Sequence, residues 1–337
     1  MVVPRDIIGQ PMEWRHLGRT GLRVTRIGLG LAALGRPGYV NLGHATDLPQ
    51  ETDVAAMRQY TATVLDSARE AGIRYLDAAR SYGRAEEFLG AWLARRRISP
   101  EEFTVGTKWG YTYTAGWQVD AEMHEVKDHS LGTLRRQWSE SQALLDGHVD
   151  LLQVHSATLD SGILDDAAVL DALVALRSGG AVRAIGLTLS GIGQAVTLRR
   201  ALTLERNGAP VFDTVQATWN ALEPSIGPLL AQAHDAGMGV IVKEALANAR
   251  LVRGDAADAL RPHAARLRCG TDALALAWAL AQPWADVVLS GAATVDQVRS
   301  NVAALSVRLD DPARAALAGL GEPAHAYWQR RAELTWN

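Results

Sequence analysis

The sequence holds a single cysteine, Cys269, in 337 residues, and only three phenylalanines. A lone thiol excludes an intramolecular disulfide and suits a reducing compartment. Lysine is nearly missing. It occurs only at Lys108, Lys127 and Lys243, and the rest of the 34 basic residues are arginine. Neither sign of charge dominates: a formal net charge of −3 gives no reason to expect nucleic acid or an anionic membrane as partner. No apolar run approaches the roughly 18 residues of a membrane span. The N-terminal stretch MVVPRDIIGQPMEWRHLG lacks the apolar core of a secretion signal. These absences leave a soluble, cytoplasmic protein as the expectation. The 48% hydrophobic content allows a substantial core.

What is present is alternation. Glu13–Leu17 and Leu22–Arg26 flank the turn Gly18–Gly21 and suggest a hairpin. Ile27–Ala32 reads as a first buried strand, followed by a polar Gly/Pro-containing segment, Gly35–Gln50, and a helix at Asp53–Ala71. Strand and helix signals then repeat in units of about 30 residues. Strands are expected at Ile73–Leu76, Phe103–Thr107, Val149–Val154, Val182–Leu187, Thr214–Ala217, Gly239–Val242 and Asp286–Leu289. Helices are expected at Ala85–Arg97, Glu125–Leu145, Asp166–Ser178, Gly193–Arg206, Pro224–Ala236, Ala256–Arg266, Thr271–Ala281 and Val295–Ala304. Eight such units predict an α/β fold, a closed (β/α)8 TIM barrel. The chain 1–337 reads as one domain: hairpin at about 13–26, barrel at about 27–305, and a C-terminal helical extension at 306–337.

Polar residues end strands that a buried strand would finish with apolar ones. Asp77 ends the second, Lys108 the third, His155 the fourth and Gln216 the sixth. In a barrel all four emerge at one mouth, where active sites of this architecture lie. Tyr82 sits in the loop just past Asp77. An ammonium beside a phenol lowers its pKa from about 10 by roughly 1–3 units, and a carboxylate keeps that ammonium charged and aimed. Singly, such residues are more often caps or structural ion pairs. In an arginine-rich chain, however, a lysine at a strand end suggests that a compact, titratable cation is wanted. No second ligand stands near His155 at metal spacing, so no metal is expected.

Gly28–Ala33 also fits a loose G-x-G-x-x-A dinucleotide fingerprint, which requires a helix at the second glycine. Here LGRPGYVNLG follows, with Pro37 and no helical period before residue 53. The glycines are instead expected to let backbone approach closely at the barrel mouth.

From residue 13 to 305 the chain resembles the aldo-keto reductase family. WRHLGRTGLRVTRIGLGLAALG, YLDAARSYGRAEEFLGAWL, TVGTKWG, DLLQVHS, AIGLTLS, VQATWNALEP and LSGAATVDQVRSNVAAL follow in that family's order and approximate spacing. The resemblance implies Tyr82 as proton donor, Lys108 lowering its pKa, Asp77 pairing with Lys108, and His155 orienting the carbonyl. It implies NADP(H), or less often NAD(H), with NADP(H) favoured by the family's habit. Cofactor contacts carry over to Gly30, Thr188, Gln216, Lys243 and Glu244, with Gln216 on the carboxamide. They continue through Leu246, Gly291, Thr294, Gln297 and Asn301 toward the phosphates.

The chain also departs from the pattern. Thr188-Leu189 stands where the family has Ser-Asn, and Lys243-Glu244 where many members stack a Tyr on the nicotinamide. Gly291 and Gln297 replace the Lys and Arg of many NADP-preferring members, while Asn301 is kept; Arg299 is a possible substitute cation. Trp109 and Trp219 are expected to line a substrate pocket, with Trp117 and Trp328 closing over it. The resemblance implies a small carbonyl or alcohol substrate, in a style closer to bacterial aldehyde and sugar oxidoreductases. Two other functions stay open. One is a cofactor-sensing subunit like the potassium-channel β-subunits; the other is a biosynthetic enzyme whose bound cofactor undergoes no net redox change. Gly35–Gln50 is either a lid or a passive loop.

Overall fold

A computed structural model describes residues 12–337, so the start of the single domain assigned to 1–337 lies outside the described part. Eight parallel strands close into a barrel: β1 (Ile27–Gly30), β2 (Tyr75–Asp77), β3 (Thr104–Trp109), β4 (Leu151–Ala157), β5 (Ala184–Leu189), β6 (Thr214–Thr218), β7 (Gly239–Lys243) and β8 (Val287–Ser290). Each pairs with its neighbours in sequence, and β8 returns to β1. Parallel neighbours need long crossovers, which helices supply. These are α1 (Val54–Glu70), α2 (Ala85–Arg96), α3 (Leu131–Leu144), α4 (Ala167–Ser178), α5 (Gln194–Leu202), α6 (Gly227–Asp235), α7 (Asp255–Arg266), α8 (Thr271–Leu280) and α9 (Val295–Val302). The tail adds α10 (Asp311–Ala318) and α11 (Ala324–Ala332). The predicted barrel, hairpin and helical extension are all present.

Local chemistry sets the helix starts. Asp53 caps α1 by accepting from the Ala55 and Ala56 amides, Asp166 caps α4 and Thr294 caps α9. The helix expected from Glu125 to Leu145 is a correction. Glu125–Lys127 pairs antiparallel with Tyr111–Tyr113 in a hairpin beside the mouth, and α3 begins at Leu131. Asp128 accepts from the Ser130 amide and the Thr133 hydroxyl, and Ser130 accepts from the Thr133 amide. That cap satisfies the first orphan donors and stops the helix from extending backward.

The N-terminal hairpin, Trp14–His16 with Arg23–Thr25, plugs the far end of the barrel. Its Leu17, Leu22 and Val24 pack on Tyr75, Ile241 and Val287. A Cβ on Gly18 would lie 2.2 Å from the Gly239 nitrogen, so only glycine lets this plug seat. Gly28 has a similar purpose, because a Cβ there would lie 2.6 Å from the Tyr75 ring. The first glycine of the supposed fingerprint therefore makes room for an interior ring, and only Gly30 serves the mouth wall. With one end plugged, the other is free for a site.

Candidate active site

Asp77 sits at the end of β2 and Lys108 near the end of β3, and the two strands are neighbours in register. Their side chains form a buried ion pair, Lys108 being wholly enclosed and Asp77 2% exposed. Asp77 also accepts from Gln216 Nε2 at 3.0 Å, Gln153 Nε2 at 3.2 Å and the Tyr75 hydroxyl at 3.3 Å. The second donor contact of Lys108 goes to the Ala78 carbonyl at 2.9 Å. A buried charge pair persists only when so fully hydrogen-bonded. Lys108 Nζ lies 4.6 Å from the centroid of the Tyr82 ring.

Tyr82 and His155 meet edge to face, ring centroids 5.5 Å apart. An irregularity in β4 aims His155: the register with β5 shifts between Val154 and Ala157, and Ser156 adopts a left-handed φ of 49°. The Ser156 amide donates to Thr188 Oγ1 at 2.8 Å, which fixes the bulge. His155 Nδ1 lies 3.3 Å from Ser81 Oγ, leaving Nε2 for the cavity.

Burial, with Lys108, Lys243 and Arg36 nearby, drives the His155 pKa well down, so the imidazole is neutral. Burial, then Asp77 and Glu125, raises the Tyr82 phenol well above its ordinary value, and Arg36 opposes them. The expected lowering by Lys108 is thus not what dominates, because Asp77 touches that ammonium and offsets its field. The result is a protonated phenol beside a neutral imidazole, a pair able to donate protons to one oxygen.

These groups open into a cavity of about 450 Å³. Its wall carries Gly30, Asp77, Tyr82, His155 and Gln216, then Lys243, Glu244 and Leu246, and finally Gly291, Gln297 and Asn301. The residues present fit a nicotinamide dinucleotide. With its amide nitrogen bound to Asp77, Gln216 has its oxygen left for a donor in the cavity. Gly291 has open space where a Cβ would be, in a segment of small residues from Ser290 to Ala293. Asn301 meets Ser290 Oγ at 2.8 Å, and in the orientation that accepts from that hydroxyl it donates to Asp272 at 3.0 Å.

Other expected contacts are placed differently. Thr188 is spent on the β4 bulge, and Ser190 borders the cavity instead. Thr294 caps α9, and Gln297 Oε1 accepts from the Ala293 amide at 2.8 Å. Arg299 is exposed beside Asp296, 3.8 Å away. Trp109 and Trp219 do not border the cavity. Trp109 is enclosed against His129, and Trp219 packs between Trp278 and Trp284. Trp117 donates to the Thr52 carbonyl, and Trp328 packs on Tyr327 in the tail.

Lys243 and Glu244 do form the rim ion pair, 3.8 Å apart, and Lys243 donates to Thr218 Oγ1 at 2.9 Å. Arg331 from the tail holds Glu244 at 2.9 Å. The chain then turns sharply, with left-handed φ at Glu244, Ala247, Asn248 and Ala249. Such clustered strain persists only where the surroundings enforce it.

Sequence reasoning missed Arg36, Tyr39, Tyr111, Glu125, Arg331 and Trp336, all of which border the cavity. None sits at the end of a barrel strand, and the tail returns to the mouth from far along the chain. Asn337 and Tyr39 exchange backbone hydrogen bonds at 3.1 and 3.2 Å, and Asn337 Nδ2 donates to the Asn41 carbonyl at 2.8 Å. Trp336 stacks on His124 of the mouth hairpin, centroids 3.9 Å apart. Gly35–Gln50 is therefore part of the wall of the site. Among the described residues no cluster of side chains suits a metal ion, and no helix is long and apolar enough to cross a membrane.

The profile of the Aldo/keto reductase family matches residues 26–322. The chain is 28% identical to L-galactose dehydrogenase of Arabidopsis thaliana, covering 88% of each chain. It is 26% identical to NADH-specific methylglyoxal reductase of Escherichia coli, covering 88% of this chain and 94% of that one. A crystal structure of an aldo-keto reductase from Pseudomonas aeruginosa superposes with a TM-score of 0.65 at 26% identity, over 92% of this chain and 98% of that one. Profile, relatives, barrel and mouth agree: this chain is an oxidoreductase and belongs to the aldo/keto reductase family, whose members use NAD(P)H.

Proposed function

We propose that the protein interconverts a small polyhydroxylated carbonyl, an aldehyde, ketone or sugar, with its alcohol. Tyr82 donates a proton to the carbonyl oxygen in reduction and takes it back in oxidation. The observation that carries this is the edge-to-face contact of Tyr82 with His155 over the buried Asp77–Lys108 pair. The neutral His155 donates from Nε2 to the same oxygen and fixes its orientation. Lys108, paired with Asp77 and 4.6 Å from the ring centroid, answers that carboxylate beside the phenol, so that phenolate formed in oxidation does not face Asp77 alone. A cofactor held along Gln216, Leu246 and Ser290–Ala293 would supply or accept the hydride.

The preferred cofactor is NAD(H). A 2′-phosphate needs a cation, yet Gly291 and Gln297 supply none, and Asp272 adds a carboxylate to the same wall. The Escherichia coli relative is named for NADH. A sugar suits the outer mouth, where paired charges (Arg36–Glu125, Arg331–Glu244) offer hydrogen bonds and Tyr111 and Trp336 offer apolar faces. The Arabidopsis relative is named for L-galactose.

Fluorescence titration with NADH and NADPH, followed by turnover assays on a panel of aldoses and aldehydes, tests the reading. Tighter binding of NADH and repeated turnover with external cofactor are expected. Binding without turnover would favour a cofactor-sensing role, and no binding of either nucleotide would remove the reading.

A further inference from the structure

We propose that Arg36 is a positioning residue for this reaction, the cation that holds the Tyr82 loop against His155 and balances the carboxylates around the phenol. The role rests on the reading of Tyr82 as proton donor and acceptor.

Two glycines bring Arg36 to its place. A Cβ on Gly35 would lie 2.0 Å from the Tyr82 carbonyl, and one on Gly83 would lie 2.4 Å from the Gly35 carbonyl. The Arg84 amide donates to the Gly35 carbonyl at 2.7 Å. The loop after β1 and the loop after β2 therefore interlock through backbone that no larger residue would allow. Arg36 emerges from this junction almost fully enclosed, at 2% exposure. Its Nη1 donates to the Ser81 carbonyl at 2.8 Å and to Glu125. The Ser81 hydroxyl is the group that meets His155 Nδ1, so one guanidinium braces the segment joining both reacting side chains. Its Cζ lies 5.6 Å from the Tyr82 ring, 5.4 Å from Tyr39 and 4.5 Å from Trp336.

Burying a guanidinium is costly, and here Nε has no hydrogen-bond partner in the protein. An apolar side chain would fill the same space at less cost, so the charge itself is the feature that needs a reason. The groups around Tyr82 supply one. Asp77 and Lys108 face it from β2 and β3, His155 from β4, Lys243 and Glu244 from the end of β7, Glu125 from the mouth hairpin, and Tyr39 and Arg36 from the loop after β1. Lys108 is committed to Asp77, while Lys243 and Arg331 serve Glu244. Among the described residues, Glu125 is left as the carboxylate that only Arg36 answers. Without Arg36 the phenol faces Glu125 uncompensated, and phenolate forms less readily. Oxidation of an alcohol, which uses Tyr82 as base, is the direction that suffers.

The test is the pH dependence of kcat/KM for alcohol oxidation in the wild type, Arg36→Gln, Arg36→Lys and the double variant Arg36→Gln/Glu125→Gln. In Arg36→Gln the acidic limb is expected to move to higher pH by roughly 1–3 units. At a fixed pH below the limb each unit is about a tenfold loss of rate. The double variant, which removes both charges, is expected to return the limb toward the wild-type position, and Arg36→Lys to stay near it. Cofactor affinity, read by tryptophan quenching, is expected to stay within about twofold in all variants, and this readout needs no turnover. An unshifted limb in Arg36→Gln, or a shifted limb that the double variant does not restore, overturns the role. Should Arg36→Gln fail to fold, Arg36→Met takes its place: a limb moved to higher pH supports the role and a limb at its wild-type position overturns it. A wild type without turnover removes the oxidoreductase reading first, which is a different result from an active wild type whose limb ignores Arg36.

Discussion

Two lysine–carboxylate pairs stand at the mouth of this barrel, and they are built differently. Asp77 and Lys108 belong to adjacent strands and are locked by Tyr75, Gln153 and Gln216, all from barrel strands. Lys243 and Glu244 are sequence neighbours at the end of one strand, and the group that holds Glu244 most closely is Arg331 of the tail. The inner pair is part of the framework and can be moved only by deforming the sheet. The rim pair depends on a segment that docks from outside. Chemistry that must not vary is placed on strands, and recognition that can vary is placed where loops and tail meet.

Substitutions at the two pairs should separate these roles. The largest expected effect lies beside the inner pair: Tyr82→Phe should lower kcat by about 10²–10⁴-fold, as loss of a general acid does, with cofactor affinity unchanged in fluorescence titration. Retained turnover would take the proton-transfer role from Tyr82. Lys108→Met removes one partner of a buried pair and should cost about 3–5 kcal/mol of stability, because Asp77 keeps an unanswered charge in the core. Urea denaturation measures this, and a loss below that of an exposed ion pair would contradict the burial argument.

At the rim, Glu244→Gln should leave stability at neutral pH less affected and weaken binding in the cavity, read as a rise in KM. Its pH signature is specific. Burial raises the Glu244 carboxyl, but Lys243 and Arg331 overcome it and hold it at about 2. A carboxyl whose folded pKa lies below its unfolded value contributes stability that is present above the unfolded value and lost as pH falls toward the folded one. Between about pH 4.3 and 2 the wild type should therefore lose stability faster than Glu244→Gln in parallel thermal scans. Identical slopes would mean that the rim pair is already broken in solution. The smallest effect is expected farthest from both pairs. Gly291→Lys, entering open space, should improve NADPH binding relative to NADH by roughly 1 kcal/mol, the worth of one exposed charge contact.

The same contrast explains what could be read from the chain beforehand. The inner pair was legible because Asp77, Lys108, His155 and Gln216 each interrupt an apolar strand at its end, which marks them against a regular background. The barrel was legible because its crossovers repeat. The mouth hairpin was not, since Tyr111–Tyr113 and Glu125–Lys127 are short strands separated by a polar loop with no periodic signal. Arg36 and Trp336 were invisible for a related reason. Their significance comes from loops that are distant in sequence and meet over the site. Trp109 and Trp219 misled because adjacency to a site residue in sequence puts a strand's next side chain on the opposite face, or a loop residue into the helical layer.

The hydrogen bonds between Asn337 and the Tyr39–Asn41 loop have a consequence for the rhythm of turnover. They tie the far end of the tail to the loop after the first strand, whose Tyr39 and Asn41 border the cavity. The tie is held by two backbone hydrogen bonds and by the Asn337 side-chain amide, none of them made by a group placed in the proton transfer. Exchange of a ligand on this side of the cavity is therefore expected to respond to a segment remote from the proton transfer.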